Sequence, residues 1–238
     1  MAEKIRVAAA GDIHCAEPLR DRITHAFAAV AAEVDVILLA GDLTTQGEPE
    51  QAAVLADAVR PLDVAVYAVL GNHDYHANRC DTLVAVLEEA GIHVLQRQSA
   101  VQQVGELELG IVGGKGFVGG FPGAELPDFG EPLLREVYAE TTREVEALEV
   151  GLEAIAGCHR RVVLLHYAPV PETLVGEPEP IWAFLGSSRL AAPIGAHRPD
   201  LVLHGHAHRG TFAAELGPVP VRNVAVHVLG KDFELFEL

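Results

Sequence analysis

Five runs in this sequence have the length of a β-strand and lack an alternation of apolar and polar residues. They cover residues 5–10, 36–40, 64–70, 162–166 and 201–204. A strand with one face in water alternates, whereas a strand covered on both faces does not. The runs therefore predict buried strands. Segments with helical spacing and a proline near the start, 18–33 and 48–60, separate the first three runs and indicate an α/β fold.

The rest of the chain adds shorter elements. A helix is predicted over 78–91 and a long acidic helix over 132–156. Strands are predicted at 92–96, 100–104 and 107–112, and the tail segments 211–216, 219–229 and 233–238 are also strand-like. The Gly/Pro-rich segment 113–130 predicts a loop near a site, with a linker as the alternative. Residues 166–200 predict a loop that partly covers the site, followed by a short helix. A length of 238 residues predicts a single domain, residues 1–238.

Charge and composition exclude several classes of function. The formal net charge of −17 opposes attraction to phosphate backbones, so a broad nucleic-acid-binding face is not expected. Three separated cysteines without a CxxC pair predict neither a disulfide framework nor a thiolate zinc site. No signal peptide and no membrane-spanning run is found, so a cytoplasmic location is expected. The oligomeric state cannot be read from the sequence.

Polar residues follow the long apolar runs, at the point where each run ends. Ligands of α/β proteins bind outside the carboxyl ends of the strands, so these polar residues are expected to meet at one edge. The clusters are Gly11-Asp12-Ile13-His14, Gly41-Asp42, Gly71-Asn72-His73-Asp74, His166 and Gly205-His206-Ala207-His208.

Each cluster has a commoner explanation when it is taken alone. A Gly-Asp pair after a strand is typical of a turn or a helix cap, and a lone histidine such as His166 is typical of a hydrogen-bonded, partly buried side chain. Five coincidences at one edge favour a ligand site instead. Because residues i and i+2 of an extended chain project to the same side, His206 and His208 are expected to bind together, with His204 pointing elsewhere.

The ordered set of clusters resembles the signature of the calcineurin-like metallophosphoesterases, from residue 11 to residue 208. The resemblance implies a four-layer α-β-β-α sandwich of two mixed β-sheets flanked by helices. It also implies two metal ions at one end of the sandwich and hydrolysis of phosphomonoesters or phosphodiesters.

The resemblance assigns a ligand set to each metal ion. The first ion would be held by Asp12, His14, Asp42 and His208, and the second by Asp42, Asn72, His166 and His206. Asp42 would bridge the two ions. Oxygen and imidazole ligands suit Mn, Fe or Zn without choosing among them.

The expected reaction is attack of a metal-bridging hydroxide on a small phosphate ester. His73 follows the ligand Asn72 and is expected to face the substrate as a general acid, with Asp74 holding its imidazole. Asp74 could instead cap the next helix. Thr44 and Thr45 could orient ligands or cap a helix. His25, His93, His159, His197 and His227 lie outside the motifs and are expected to be ordinary histidines.

Three other functions stay open at this point. A nuclease is disfavoured by the acidic charge and by the lack of a basic stripe with aromatic residues. A non-catalytic metal-binding scaffold of the same fold is disfavoured because all seven ligand positions and His73 are filled. A flavodoxin-like binding module would explain the order of strands and helices but not the histidines.

Overall fold

The computed structural model describes residues 4–238, in which eleven strands form two mixed β-sheets. The first sheet has the order β11-β1-β2-β3-β4, and the second has the order β5-β6-β7-β8-β10-β9. The strands are β1 (Arg6–Ala10), β2 (Val36–Ala40), β3 (Ala65–Val69), β4 (Ile92–Val94), β5 (Gln98–Val104), β6 (Leu107–Gly113), β7 (Arg160–Leu164), β8 (Leu201–His204), β9 (Ala213–Leu216), β10 (Val219–Asn223) and β11 (Glu234–Glu237).

Parallel strands form the centre of both sheets. The strands β1 to β4 are parallel, and β11 joins them antiparallel along β1. In the second sheet β6, β7, β8 and β10 are parallel, and the edge strands β5 and β9 are antiparallel. The carboxyl ends of β1, β2, β3, β7 and β8 are the positions of the five polar clusters.

Helices cover the outer face of each sheet. The helices are α1 (Arg20–Ala31), α2 (Pro49–Val59), α3 (Cys80–Glu89), α4 (Pro132–Ala154), α5 (Trp182–Leu185), α6 (Ala191–His197) and α7 (Val226–Leu229). Apolar side chains of α1, α2 and α3 pack on the first sheet, and those of α4 and α6 pack on the second. A third core lies between the two sheets. The α/β fold of four layers is confirmed.

Burial on both faces explains why the central strands lack alternation. In β2, Leu38 faces the second sheet and Leu39 faces the helices, yet both are fully buried. Complete burial of a leucine side chain contributes about 2 kcal/mol to stability. Two dry faces therefore stabilise a strand that has no polar side at all.

Most predicted elements have their expected type, with ends that shift by a few residues. The exception is 219–229, for which the sequence pattern predicts one strand-like segment. It forms β10 and then, after Ala225, the short helix α7. Asn223 hydrogen-bonds the backbone N–H of Ala225 and so supports the turn between them. Within residues 4–238 no helix has both the length and the apolar character needed to cross a lipid bilayer.

Candidate metal centre

Two groups of potential metal ligands meet at the carboxyl ends of the five strands. In each group one donor atom per residue lies within 4.8 Å of the others. The first group is Asp12, His14, Asp42 and His208, and the second is Asp42, His166 and His206. Asn72 adjoins the second group, and we call the seven residues together the edge site. Asp42 belongs to both groups, as expected of a bridging ligand.

Several ligands of the edge site occupy backbone conformations that L-residues rarely adopt. The φ angles are +56° at Asp12, +48° at His14, +48° at Asp42 and +70° at His206. A non-glycine residue in this region is under strain, which persists only where the surroundings impose it and which clusters at functional sites. The turn of the chain at each strand end therefore aims these side chains at a common centre.

Two glycines make room for the carboxylates. A Cβ atom at Gly71 would overlap the Asp42 carboxylate, and one at Gly205 would overlap the Asp12 carboxylate. The glycines in the Gly-Asn-His-Asp and Gly-His-x-His clusters thus let a neighbouring strand end place its acidic side chain inside the site.

In the first group the Asp12 carboxylate is buried, and one nitrogen of the His14 ring has no hydrogen-bond partner. The Asp12 carboxylate accepts hydrogen bonds from the backbone N–H of His206 at 2.9 Å and from Nε2 of His208 at 2.8 Å. Burial, and the nearby charge of Asp42, raise the pKa of Asp12 to about 6. Burial lowers the pKa of His14 to about 4, and its Nε2 atom is buried with no hydrogen-bond partner.

In the second group two acceptor atoms face each other. His166 donates from Nδ1 to the carbonyl oxygen of Ala40 at 2.9 Å, so the neutral ring directs a lone pair from Nε2. That atom lies 2.9 Å from Oδ1 of Asn72 and 3.4 Å from Oδ1 of Asp42. Burial lowers the pKa of His166 and of His206 to about 3, which keeps both rings neutral.

These observations test whether the residues fit metal ions. A buried ring nitrogen without a partner is costly, and lone pairs that converge without a proton between them repel. A cation placed among them removes both penalties. Neutral imidazoles with carboxylate and amide oxygens are the donors that first-row transition metals take. The edge site is therefore consistent with a centre for two metal ions.

His73 stands beside this centre with a defined tautomer. Its backbone N–H donates to Oδ1 of Asp42 at 2.8 Å, and its Nδ1 pairs with the carbonyl oxygen of Thr45 at 2.8 Å. Because a carbonyl oxygen only accepts, Nδ1 carries a proton. The other ring nitrogen, Nε2, lies 4.0 Å from Oδ2 of Asp42 and points into the site.

Asp74 does not hold the His73 imidazole, contrary to the prediction. Its buried carboxylate accepts hydrogen bonds from the N–H groups of Leu43, Thr44 and Gly71 and from the Thr44 hydroxyl. These groups belong to the segments that follow β2 and β3. Asp74 thus joins the two segments, and the carbonyl of Thr45 orients His73 in its place.

The histidines after β8 also differ from the strand-based expectation. His206 lies in the second group and His208 in the first, which is the division that the family resemblance implies. The extended-chain argument is wrong here because β8 ends at His204 and His206 has a left-handed backbone. His204 points away, as predicted, and its ring pairs with Gly205 O and with Oγ1 of Thr173.

One histidine of the site is not apparent from the sequence. The His227 ring stacks on His208 with centroids 4.3 Å apart and an interplanar angle of 14°, and it lies 6.3 Å from the His14 ring. His227 belongs to α7, the helix whose sequence pattern predicts a strand. No motif marks it. To identify it, a sequence-based prediction would have had to end the strand β10 at Asn223 and begin the helix α7 at Val226.

A third group of potential ligands lies away from the strand ends. Glu149 and Glu153 of α4 and His197 of α6 converge, and we call them the helix cluster. Nε2 of His197 already pairs with Glu149 at 2.7 Å, and the Glu149 side chain is 45% exposed. This cluster lacks the burial, the strained backbone and the unpartnered nitrogen of the edge site.

Solved structures resemble this fold at low sequence identity. Phosphopantetheinyl hydrolase (PptH) from Mycobacterium tuberculosis matches with a TM-score of 0.63 and 17% identity over 92% of this chain and 88% of its own. The protein TT1561 of Thermus thermophilus matches with a TM-score of 0.63 and 18% identity over 99% of each chain. A putative 5'-nucleotidase from Staphylococcus aureus, in complex with α-ketoglutarate, has a TM-score of 0.60 and 16% identity over 93% of this chain and 48% of its own.

Sequence comparison gives a more specific result than these structures, whose low identity supports the fold alone. Comparison with the curated proteins returns no match. The family model described as calcineurin-like phosphoesterase matches residues 5–210, a range that holds all seven residues of the edge site. The chain therefore belongs to the calcineurin-like phosphoesterase family.

Proposed function

We propose that this protein is an active metal-dependent hydrolase of a small phosphodiester or phosphomonoester. The observation that carries the proposal is the state of the edge site. It combines an unpartnered buried nitrogen on His14 with two donor groups that share Asp42, next to an imidazole that points inward. A structural role alone gives no reason to keep these atoms unsatisfied.

The chain would hold the metal ions with mostly neutral ligands. Asp12, His14, Asp42 and His208 would hold one ion, and Asp42, Asn72, His166 and His206 the other. When bound, such a pair of ions polarises a phosphoryl group and lowers the pKa of water. With only two carboxylates among the ligands, the loaded site keeps a positive charge that attracts phosphate in an otherwise acidic protein.

In this proposal His73 supplies a proton to the leaving group. The Thr45 carbonyl fixes the proton on Nδ1, so Nε2 is the ring atom left to face a substrate. The side chain is 31% exposed, which lets a substrate reach it from solvent. A protonated His73 would donate from Nε2 to the departing oxygen, which is the role of a general acid.

The proposal competes with a nuclease and with a scaffold that binds metal without catalysis. A long nucleic acid would have to approach a chain with a net charge of −17, which opposes binding by the phosphate backbone. A scaffold has no use for an inward-pointing ring beside its ligands. The small phosphate ester is therefore the substrate class that the charge and His73 favour.

The test is turnover of p-nitrophenyl phosphate and of bis-p-nitrophenyl phosphate. Metal-stripped protein is refilled with Mn²⁺ and compared with Asp42→Asn and His73→Ala variants whose metal content is measured. We expect turnover by the refilled wild type. His73→Ala should retain its metal and lose at least a hundredfold in kcat on an alkyl phosphate ester, whose leaving alkoxide needs a proton, and lose less on the p-nitrophenyl esters. A wild type that retains its metal and hydrolyses neither ester would support the scaffold instead.

A further inference from the structure

Lys115 is a basic residue that the edge site does not use. It follows β6, and its backbone carbonyl accepts hydrogen bonds from the N–H groups of His166 and Tyr167, both at 3.0 Å. Its backbone is thus fixed to the segment that carries a ligand of the second group. The ring of Tyr167 in turn lies 4.6 Å from the ring of His206.

The Lys115 ammonium group lies among aromatic rings. Nζ is 3.9 Å from the ring centroid of Phe117, 5.4 Å from that of Tyr167 and 6.0 Å from that of Tyr75. Its one hydrogen bond goes to the carbonyl oxygen of Gly116 at 3.0 Å. Two of the three ammonium donors thus lack a partner among residues 4–238.

The carboxylates nearest to Lys115 have other partners. Glu144 accepts from Nε of Arg97 at 2.8 Å and from the N–H of Gly116 at 2.9 Å. Glu140 pairs with Arg97 and with Arg143. No carboxylate within residues 4–238 forms a salt bridge with Lys115, in contrast to Lys4 and Lys231 on the surface.

Such an ammonium group is unfavourable unless something binds it. Removing it from water is costly, and burial lowers the pKa of Lys115 to about 8, although the charges of Glu144 and Glu140 act in the opposite direction. Contact with aromatic rings offsets part of that penalty only. An incompletely satisfied charge in a cleft is a candidate for ligand binding.

A cavity of about 120 Å³ opens in front of this group. Lys115, Arg97 and Glu144 form its polar wall, while Tyr75 and Leu70 flank it. Leu70 directly precedes Gly71, and Tyr75 comes from the same short segment as Asn72 and His73. The segment that carries Asn72 and His73 thus also contributes to the cavity wall, and the charge of Lys115 acts on His166 of the second group.

We propose that Lys115 and this cavity bind a second anionic group, a carboxylate or phosphate, on the substrate whose phosphate ester is held at the edge site. The inference rests on the proposed function, because it narrows its substrate to phosphate esters with two acidic groups. Lys115 would act in substrate recognition, while the chemistry stays with the edge site.

The test is direct binding to metal-loaded protein, measured by calorimetry. The probes are matched pairs that a phosphoesterase does not cleave, namely n-alkylphosphonates and their ω-carboxy counterparts over a series of chain lengths. An ω-phosphonate series shows whether the cavity prefers carboxylate or phosphate. At one chain length, we expect the wild type to bind the probe with two acidic groups about tenfold to a hundredfold more tightly than the n-alkylphosphonate of the same length.

Two variants separate the charge of Lys115 from its packing. Lys115→Met keeps most of the length of the unbranched side chain and removes the charge, so the preference for the second anion should disappear. Lys231→Met, on the surface, is the control and should keep it. A preference that is unchanged in Lys115→Met overturns the proposal, and so does a wild type with no preference at any chain length.

The outcome also separates this inference from the proposed function. Hydrolysis of p-nitrophenyl phosphate is measured on the same wild-type preparation. Phosphonate binding with a Lys115-dependent preference but no hydrolysis would support the anion site and count against catalysis. Hydrolysis without the preference would do the reverse. Should Lys115→Met not fold, Lys115→Gln replaces it, and the wild-type preference remains decisive by itself.

Discussion

The edge site and the helix cluster are built from the same residue types but differ in what surrounds them. Both bring a histidine and carboxylates within metal-binding distance. In the helix cluster His197 forms an ion pair with a half-exposed Glu149, so no atom of that ring is left buried without a partner. In the edge site the Asp42 side chain is only 1% exposed, and Nε2 of His14 is orphaned.

The number of potential ligand atoms is therefore not enough to identify a metal site. Water and a neighbouring charge satisfy an exposed cluster at little cost, so it gains little from a cation. A buried and strained cluster has no such alternative. Variants at the two clusters should therefore behave differently.

Metal should stabilise the protein through the edge site and not through the helix cluster. At a free concentration 100-fold above Kd, a bound ion raises the free energy of unfolding by about 2.7 kcal/mol per site. Thermal unfolding with Mn²⁺ or with a chelator measures the gain. We expect it to be lost in a His14→Asn, His166→Asn double variant and retained in His197→Asn. A gain that depends on His197 would reverse our view of the two clusters.

An added methyl group should be harmful at the edge site and harmless near the helix cluster. Gly71→Ala pushes a Cβ atom into the Asp42 carboxylate, and we expect a loss of about 1–3 kcal/mol together with weaker metal binding. Gly195→Ala in α6 meets nothing within 4 Å and should stabilise the helix by about 0.5–1 kcal/mol. Chemical denaturation measures both, and equal effects would contradict the packing argument.

Removing one buried carboxylate should matter more than removing one exposed carboxylate. Asp74→Asn replaces an acceptor that faces four donor groups with an amide that presents N–H groups to some of them. We expect a loss of about 1–3 kcal/mol in the free energy of unfolding of the metal-free protein. Glu149→Gln breaks an exposed pair and should change it by less than about 1 kcal/mol. A silent Asp74→Asn variant would show that the two segments need no junction.

Stacking on a ligand should matter more than stacking elsewhere. His227→Ala removes the ring that packs on His208. We expect about tenfold weaker metal binding, which is the lower end of the range for loss of a residue that supports a metal ligand. His227→Phe keeps a stacking ring and should retain binding. His93 is the matched control, because its ring stacks on Tyr67 with centroids 4.9 Å apart and it does not belong to the edge site. If His93→Ala weakened metal binding equally, the stack on His208 would have no special role.

The sequence was most informative where function depends on local order along the chain. The unalternated runs predicted the central strands, and the polar clusters at their ends contained every residue that meets at the edge site. Geometry inside the clusters was less accessible. The rule for extended chains placed His206 and His208 together, whereas the family resemblance assigned them to different metal ions. The left-handed backbone at His206 explains why the second assignment agrees with the structure.

Contacts between segments that are distant in the sequence could not be predicted from these local patterns. Asp74 precedes a helix in the sequence, where a cap is a reasonable expectation, but its four donors come from the ends of two strands. No sequence motif includes His227, and the residue that it contacts, His208, belongs to a different segment of the chain. Neither partner could be identified before the packing of these elements was known.

The side chains at the strand ends could be identified from the sequence, because strand burial and the polar residues that follow are properties of neighbouring positions. The sequence also determined the acidic charge that disfavours nucleic acid. Only the folded structure shows what Asp74 and His227 touch and that Lys115 lines a cavity. The physical reason is that these features depend on which elements pack together, and packing brings into contact residues that are far apart in the chain.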